Sequence, residues 1–399
     1  MKIAFIHPRY PSSEGTGATH SATQMVNGLA ADHDVSVYCA RSPPEEIQSG
    51  QYDIHELTGN SRHPHTDTRL NKEVKARKKE LQGYDIVHSY LMRLIPSVAE
   101  IGKNSDVKTV VTLNAYGGTC AKNDLLYLNK KQCQSKSISK CMNCLFRTSG
   151  FEENSYPYAL ASRLLSLRTV NKGERQRDYI DAFRAPSTHV KKSYVKFGYD
   201  PEKISVIPHP VDEKFCIQHQ SDFTEPYELL YVGGLSQRKG AEKLVPILAG
   251  LLETEYDFRL TMVGTGELEN TIQEQIKRFG VEDSVELRGF VPNNKLPEIY
   301  AAHDLFIYPG VWEEPLARVY LEALATGTPI VTTEYGSIED IVGKAGRVTD
   351  GSVDQFVKNI MEIIEASELT EMSLKANNQI QQFKLPKVTR LINNLYYNI

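Results

Sequence analysis

Two carboxylates lie eight positions apart in the segment EEPLARVYLEALATGTP, residues 313–329. Proline is typical of the first helical position and Gly-Thr-Pro of a helix end, which predicts Glu314 at the start of a short helix and Glu322 two turns inside it. At a rise of roughly 1.5 Å per residue, the two acids would be about 12 Å apart along the axis. Paired glycosidase carboxylates are only roughly 5 to 9.5 Å apart. The two glutamates therefore do not flank one bond, but they can hold two parts of one long ligand.

A basic pair on a glycine turn is the second feature that could do chemistry. Arg238 and Lys239 lie in YVGGLSQRKGAEKLV, where a predicted strand ends, a turn containing Gly234 follows and a helix begins. Arginine offers a planar fork of donors to phosphate oxygens, lysine a compact positive charge, and helix amides a dipole that favours anions. The pair predicts a phosphate site, with an exposed basic turn as the alternative. The same strand, glycine turn and helix recur at Gly264, which we interpret as part of the same pocket wall.

The elements that must position these residues repeat one pattern along the chain. Short apolar runs such as KIAFIHP, DVSVYCA, YELLYVGG and DLFIYP alternate with helix-like segments over 399 residues, which predicts two doubly wound α/β domains with buried parallel sheets. A polar, aperiodic seam at 212–226 separates them. We predict an N-terminal Rossmann-like acceptor domain over residues 1–211 and a C-terminal donor domain over residues 212–382. A last amphipathic helix, residues 383–399, would pack back on the first domain.

The motifs taken together resemble a known family. GGLSQRKG, VGTGE, GFVP, LPEIYAAHDLFIYP and EEPLARVYLEALATGTPIV are similar, in this order, to the family-4 retaining glycosyltransferases (group 1 glycosyl transferases) across residues 228–350. The match is looser through DIVHSY, VVTLN and KISVIPHPVD in the first half. The resemblance implies the GT-B fold, in which two Rossmann-like domains face each other across a cleft that holds the ligands.

The resemblance also implies roles for the residues of the predicted catalytic group, Glu314, Arg238 and Lys239. The basic pair would neutralise the diphosphate of a nucleotide-sugar donor, and Glu314 would lie by the donor sugar. Glu322 would bind the ribose hydroxyls, so that one long ligand explains both acids. Main-chain amides near the helix start would meet the phosphate and the sugar. The implied donor-binding residues are Gly15, Gly17, Gly234, Arg238, Lys239, Gly264, Leu316, Ala317 and Glu322.

Several positions depart from the family pattern. Gly15 and Gly17 come earlier than the glycine pair that usually precedes the first helix. Asn114 replaces the histidine of the usual TLHD, and an asparagine can form hydrogen bonds but cannot act as a base near neutral pH. We therefore assign Asn114 and His20 to the acceptor side. Arg318 could meet a charged sugar or simply face solvent.

Four of the six cysteines fall within 25 residues, Cys120, Cys133, Cys141 and Cys144. Four thiols in one segment suit tetrahedral zinc, and CMNC has the spacing of a ligand pair. Disulfides and free thiols are the alternatives, although disulfides are disfavoured in the cytoplasm. We predict a structural zinc site that stiffens an acceptor-binding loop in the insertion 120–144. No Asp-x-Asp motif ends a predicted strand, so no cofactor is predicted to be required for catalysis.

The charge distribution is uneven. Residues 1–210 carry 29 lysines and arginines against 21 acidic residues, and residues 211–399 carry 17 against 29. A basic first half favours an anionic partner such as a phospholipid surface, with solvated faces as the alternative. Nucleic acid is not expected, because the basic run RLNKEVKARKKEL has no aromatic residues for base stacking. No apolar run is long enough to span a membrane and MKIAFIHP is too short for a signal peptide, so we expect a cytoplasmic protein with peripheral contact at the inner membrane face.

These features favour a hexosyltransferase, and the resemblance implies that it retains the configuration at the anomeric carbon. It would move a hexose from a nucleoside-diphosphate sugar to an acceptor, such as a lipid-linked or cell-surface glycan precursor. Two alternatives stay open, namely a non-catalytic nucleotide-sugar binder or interaction module, and a nucleotide-sugar epimerase of the same fold. The Asn114 replacement favours the first, whereas the two glutamates and the Arg-Lys turn disfavour the second.

Overall fold

The computed structural model describes residues 1–8, 17–40, 52–57, 65–149 and 156–399. Within these ranges the chain divides into two compact units. The first unit comprises residues 1–210 and 388–399, and the second comprises residues 211–387. The division falls next to the polar segment 212–226, which the sequence predicts as the boundary between the two domains.

The first unit is built on a parallel sheet. Its strands are β1 (Lys2–His7), β2 (Asp34–Cys39), β3 (Asp53–Glu56), β4 (Ile86–Ser89), β5 (Lys108–Thr112), β6 (Leu126–Tyr127), β7 (Lys131–Gln132), β8 (Ala182–Ala185) and β9 (Ile204–Val206). Seven of them form one sheet in the order β3-β2-β1-β4-β5-β8-β9, and every pair in it is parallel. The strands β6 and β7 form a separate antiparallel hairpin.

Helices cover both faces of this sheet. In β1 every residue after Lys2 is buried, and in β2 only Asp34 is exposed. Such near-continuous apolar runs are what a parallel sheet requires, because neither face meets water. The helices of this part of the chain are α1 (Gly17–Ala30), α2 (Thr66–Ala76), α3 (Lys78–Leu81), α4 (Ile95–Gly102), α5 (Ile138–Thr148), α6 (Tyr156–Gln176) and α7 (Thr188–Lys196).

The second unit has a six-stranded parallel sheet. Its strands are β10 (Tyr227–Val232), β11 (Phe258–Val263), β12 (Val285–Gly289), β13 (Leu305–Tyr308), β14 (Ile330–Thr333) and β15 (Gly346–Thr349). The order is β12-β11-β10-β13-β14-β15, which is the 3-2-1-4-5-6 order of a Rossmann sheet. In such a sheet ligands bind outside the carboxyl ends of the strands, near the central strand where the order reverses. Here that strand is β10, and the Arg238–Lys239 turn follows it.

The helices of the second unit follow its strands in turn. They are α8 (Leu244–Leu252), α9 (Glu269–Phe279), α10 (Leu296–Ala301), α11 (Arg318–Ala325), α12 (Ile338–Ile341), α13 (Val353–Glu365) and α14 (Leu369–Gln379). One apolar core joins the helices to the sheet. The predicted helix end at Gly-Thr-Pro is confirmed, since α11 ends at Ala325 and Gly327 has the left-handed φ of +74° that glycine tolerates.

The C-terminal helix α15 (Leu385–Tyr397) belongs mainly to the first unit. Its buried side chains include Ile392 and Tyr396, which join the core formed by β1, β2 and α1. Tyr396 also pairs through its hydroxyl with Nδ1 of His88 in β4. No helix in the described ranges combines the length and the apolar character needed to cross a membrane.

Candidate functional site

Three glycine-containing loops meet at the carboxyl ends of β10, β11 and β12. The Gly264 amide donates to the Gly289 carbonyl (2.8 Å), and the Gly233 amide donates to the Val263 carbonyl (2.9 Å). Gly264 has φ +135°, and a Cβ at this position would lie 1.9 Å from the Gly233 carbonyl oxygen. Only glycine allows this approach. Gly264 therefore shapes the same rim of the sheet as the Gly233–Gly234 turn, and Gly234 itself is exposed there.

The basic pair lies on a tight turn that packs against the end of β13. Arg238 and Lys239 belong to a 3₁₀ helix, Gln237–Lys239. The sequence predicts them in a loop at a helix start, and in the structure two short 3₁₀ turns lead from this pair to α8, which begins at Leu244. The Arg238 carbonyl accepts from the Val311 amide (3.1 Å), which ties the turn to the loop after β13. This contact holds the pair beside the segment that carries Glu314.

Gly240 makes this approach possible, and we expect its replacement by alanine to destabilise the protein. Gly240 and Gly280 share a left-handed backbone (φ +69° and +66°), but a Cβ on Gly240 would lie 1.9 Å from the Pro309 carbonyl oxygen, whereas one on Gly280 meets nothing within 4 Å. Gly280→Ala should cost about 1–2 kcal/mol for the backbone alone. Gly240→Ala should cost about 1–3 kcal/mol more through the clash. Chemical denaturation of both variants measures the difference, and equal losses would show that the close approach does not constrain the turn.

Lys239 and Glu314 form an ion pair at this rim. The Lys239 Nζ lies 2.5 Å from Glu314 Oε1, and the two side chains are 26% and 20% exposed. The second carboxylate oxygen, Oε2, accepts from the Tyr308 hydroxyl (3.0 Å). Both oxygens of Glu314 are therefore held, one by a cation and one by a neutral phenol. The arrangement places a positive charge next to a fixed carboxylate at the strand ends.

Aromatic rings surround the ion pair. Tyr308 is buried and stacks on Tyr231 with ring centroids 5.9 Å apart. Burial first, and then the Glu314 carboxylate, raises the pKa of Tyr308 well above its usual value, so the phenol stays protonated and donates. Trp312 lies near both cations, with its ring centre 5.9 Å from Arg238 Cζ and 6.0 Å from Lys239 Nζ. Such contacts stabilise cations over an aromatic face.

The helix that carries Glu322 starts later than predicted. Helix α11 begins at Arg318, because Ala317 has an extended backbone (φ −79°, ψ 115°) and forms its N-cap. Pro315 therefore does not start the helix, Glu314 lies outside it, and the axial distance of about 12 Å does not apply. Leu316 and Ala317 are buried directly before the first turn. Gly336, in the loop after β14, packs closely against this segment, because a Cβ on it would lie 2.7 Å from the Glu314 nitrogen.

Glu322 has its own set of partners. The side chain is buried, and its Oε2 accepts from the Tyr300 hydroxyl (3.3 Å). Arg318, one turn earlier, places Nε 3.8 Å from Oε1. Burial, followed by the Glu322 carboxylate, raises the pKa of Tyr300 well above its usual value, so this phenol also remains a donor. The chain thus holds two fixed carboxylates in the second unit, each oriented by a tyrosine and a cation.

The predicted site residues of the first unit lie on separate segments of the chain. Gly15 lies outside the described residues. Gly17 is the first residue of α1, and its carbonyl accepts from the Ser21 hydroxyl (3.1 Å). His20 is half-buried on the same helix. Asn114 follows β5, and its buried Oδ1 accepts no hydrogen bond from the described residues.

Two other histidines near strand ends, His88 and His209, are buried in the first unit. His88 is fully buried, and its Nε2 pairs with the Thr112 hydroxyl (2.8 Å). Burial first, and then the nearby Arg184 guanidinium, lowers the pKa of His88 to about 3, so the ring is neutral near pH 7. His209 Nδ1 lies 3.2 Å from the buried Arg184 guanidinium. These contacts favour structural roles for both histidines.

The four clustered cysteines line one cavity beside the β6–β7 hairpin, although the chain carries them on separate segments. Cys144 is buried, and Cys120, Cys133 and Cys141 are half-buried. Burial first, and then the Asp124 carboxylate, raises the pKa of Cys120. All four thiols are free, and no three ligand-type side chains in the described part of the chain are arranged as metal ligands. The zinc site therefore stays a prediction.

Two family models together match most of the chain. Residues 15–215 match the model described as "Glycosyltransferase Family 4", and residues 213–381 match "Glycosyl transferases group 1". The first match alone covers half of the sequence. The chain belongs to glycosyltransferase family 4. The resemblance drawn from the sequence motifs is confirmed.

Individual relatives of this family-4 chain are distant. Spore coat protein SA of Bacillus subtilis (strain 168) is 30% identical over 154 residues, which are 36% of this chain and 41% of that protein. The putative glycosyltransferase YtcC of the same organism is 20% identical over 417 residues, covering 100% of this chain and 92% of YtcC. The chain thus spans less than half of spore coat protein SA but nearly all of YtcC.

Solved structures confirm the fold. HepE of Anabaena in complex with UDP superposes with a TM-score of 0.72 at 18% identity, and each chain is covered completely. The complex of HepE with UDP-glucose gives a TM-score of 0.67, also over both complete chains. The predicted fold class, GT-B with two Rossmann-like domains, is confirmed.

Several residues of this family-4 site were missed by sequence reasoning. Tyr308 and Tyr300 orient the two glutamates, Trp312 lies against the basic pair, and Gly240 and Gly336 allow the loops to close. One signal was available, because Trp312 is the single tryptophan of the chain and stands two residues before Glu314. The tyrosines end or precede apolar strands, where an aromatic residue is indistinguishable from core by sequence.

Proposed function

We propose that this protein is a retaining hexosyltransferase that uses a nucleoside-diphosphate sugar as its donor and a glycan or lipid-linked acceptor. The observation that carries the proposal is the Lys239–Glu314 ion pair, fixed by Tyr308, beside Arg238 at the carboxyl end of the central strand β10. It combines two cations suited to phosphate with a carboxylate suited to sugar hydroxyls.

The chemistry requires stabilisation of the leaving group. When the bond between the anomeric carbon and the phosphate oxygen breaks, negative charge grows on the nucleoside diphosphate. Fixed cations aimed at that charge are usually the largest contribution to the rate. Lys239 supplies a compact charge and Arg238 a planar fork of donors. Because Arg238 is exposed whereas Lys239 is held by Glu314, we assign Lys239 to the reacting phosphate and Arg238 to the outer part of the diphosphate.

Glu314 acts as a positioning group in this proposal. Its two oxygens are already engaged by Lys239 and Tyr308, and a nucleophile would have to leave both. The carboxylate has further lone pairs for sugar hydroxyls. We therefore favour attack of the acceptor hydroxyl on the same face from which the diphosphate departs, with the departing phosphate oxygen taking the proton. This route retains the configuration at the anomeric carbon.

Glu322 is assigned to the nucleoside end of the donor. Its burial and its contact with Tyr300 leave a fixed acceptor that suits a pair of ribose hydroxyls. The solved complexes of HepE contain UDP and UDP-glucose, and they support a nucleotide hexose as the class of donor.

The positive charge of the first half of the chain supports our proposal for the class of acceptor. Helices α2 and α3 carry a basic run in which Lys72 and Lys79 are exposed, whereas Lys75 pairs with Glu100 and Arg77 with Glu80. Exposed lysines favour the phosphates of a lipid-linked acceptor or of an anionic membrane surface. We therefore propose peripheral contact with the inner face of the membrane.

A panel of nucleotide hexoses tests the function. Each sugar nucleotide is first screened for thermal stabilisation, since a ligand at 100 times its dissociation constant should add about 2.7 kcal/mol to the free energy of unfolding. The stabilising donor is then incubated with acceptors, and the released nucleoside diphosphate and the anomeric configuration of the product are measured. Release together with a retained configuration supports the proposal. An inverted product would contradict retention, and the absence of a stabilising donor would contradict the site.

A second candidate, a non-catalytic nucleotide-sugar binder, is favoured by Asn114, which cannot act as a base where the family usually has histidine. In the same assay a binder would be stabilised by the donor but would release no nucleoside diphosphate. An epimerase would return the nucleotide bound to a different sugar. The three functions therefore give three different outcomes in the same assay.

A further inference from the structure

Four cysteines line one small cavity in the first unit. Cys120 precedes the β6–β7 hairpin, Cys133 follows it, and Cys141 and Cys144 lie one turn apart on α5. All four line a cavity of about 40 Å³ that is otherwise surrounded mainly by carbon atoms. This volume suits one ion or one water molecule and is far too small for a sugar or a nucleotide. The fold thus brings all four cysteines to the wall of one small cavity.

A main-chain amide points at one of these sulfurs. The Leu128 amide lies 3.3 Å from Cys144 Sγ. An N–H group directed at sulfur stabilises a thiolate more than a thiol, because the anion is the better acceptor. The Leu128 amide is therefore placed to stabilise a negatively charged sulfur at Cys144.

The surroundings also carry positive charge. Lys136 and Lys140 both line the cavity. Lys136 is paired with Glu174 (2.7 Å), and Lys140 lies over the Tyr127 ring at 5.0 Å. A divalent cation held by four thiolates has a net charge of −2, and nearby lysines would offset that charge.

The backbone of the hairpin is held in an unfavourable conformation. Four residues that are not glycine have left-handed backbones, namely Asn123, Leu125, Leu128 and Asn129, with φ between 54° and 67°. Each such residue costs about 1–2 kcal/mol, most clearly for the two leucines. These conformations persist only when the surroundings fix them. The hairpin has two short strands of two residues each and cannot supply that constraint alone.

We propose that Cys120, Cys133, Cys141 and Cys144 bind one structural zinc ion as four thiolates. Binding releases four protons, one from each thiol, and no electron is transferred. The thiols now contact oxygens, with Cys133 Sγ 3.3 Å from the Ser135 carbonyl and Cys144 Sγ 3.8 Å from the Leu126 carbonyl. The side chains exchange these contacts for zinc–sulfur bonds of about 2.3 Å by rotating about their Cα–Cβ bonds. The ion then crosslinks the hairpin to α5.

The test is the metal content of the purified full-length chain. Elemental analysis should find about one zinc ion per chain. The double variant Cys141→Ser, Cys144→Ser should lose it, and the matched control Cys216→Ser, an exposed cysteine of the second unit, should keep it. A chelator that removes zinc from the wild type should lower the thermal midpoint of unfolding, and added zinc should restore it.

Cobalt substitution keeps the proposal testable if the double variant fails to fold. Wild-type protein refolded with Co²⁺ should show the strong sulfur-to-cobalt charge-transfer absorption and the intense visible bands of tetrahedral thiolate coordination. Wild type purified and reconstituted with no more zinc than the double variant would overturn the proposal. A mass decrease that corresponds to disulfides among the four cysteines would also overturn it.

Discussion

Replacing Lys239 by alanine should lower kcat for sugar transfer by about 100- to 1,000-fold, the usual effect of removing one group that stabilises developing negative charge. The donor KM should change much less, because this contribution grows as the bond to the diphosphate breaks. Arg238→Ala should have a smaller effect, since Arg238 is exposed and lies outside the ion pair. Steady-state kinetics with the donor found by the thermal screen measure both parameters.

The matched control for this result is Lys277→Ala, which removes an exposed lysine from α9 in the same unit. It should leave kcat and KM unchanged. Lys239→Arg should recover part of the rate, because the charge remains while the compact shape is lost. If Lys239→Ala transferred sugar as fast as the control, Lys239 would not stabilise the leaving diphosphate.

Replacing Glu322 by glutamine should raise the donor KM by about 10- to 100-fold, since hydrogen bonds to a charged group contribute about 1.5–3 kcal/mol. The rate at saturating donor should change little, because the nucleoside end is bound equally in the ground state and the transition state. The amide oxygen of glutamine can still accept from Tyr300, which contacts Glu322 at 3.3 Å. We therefore expect the fold to be preserved.

A donor with deoxyribose in place of ribose tests directly whether Glu322 binds the ribose hydroxyls. The wild type should discriminate against a donor that lacks a ribose hydroxyl, and Glu322→Gln should lose most of that discrimination. Glu274→Gln, which changes an exposed acid of α9, is the control and should keep it. An equal preference for the intact ribose in wild type and Glu322→Gln would place the ribose elsewhere.

Much of the fold could be predicted because the buried strands carry their own signal. The runs that became β1, β2, β10 and β11 are apolar almost throughout, as sheets covered on both faces require. The regular alternation with helices then favours one topology for each unit. The family motifs added the GT-B assignment, which neither composition nor periodicity could supply.

One edge strand of each large sheet could not be predicted from its own residues. Strand β3 reads Asp-Ile-His-Glu and is half-exposed at the edge of the sheet, and β15 reads Gly-Arg-Val-Thr with only its last residue buried. Each forms because a neighbouring strand offers it a ladder of hydrogen bonds. Such edge strands depend on tertiary context more than on their own residues.

The site was predicted as a set of residues but not as a geometry. The sequence drew attention to Lys239 and Glu314 separately, and only the fold shows that they form an ion pair. Their pairing depends on the loop after β13 meeting the turn after β10, which is a contact between residues 75 positions apart. The start of α11 was also misplaced, because Pro315 looks like a first helical residue whereas the extended Ala317 forms the N-cap.

The most direct test of the account is a crystal structure of the protein with its donor nucleotide sugar bound. We predict that the diphosphate contacts Lys239 and Arg238, that Glu322 accepts hydrogen bonds from the ribose, and that Glu314 contacts the sugar. A nucleotide bound away from the carboxyl end of β10, with these four side chains making no contact to it, would contradict the account.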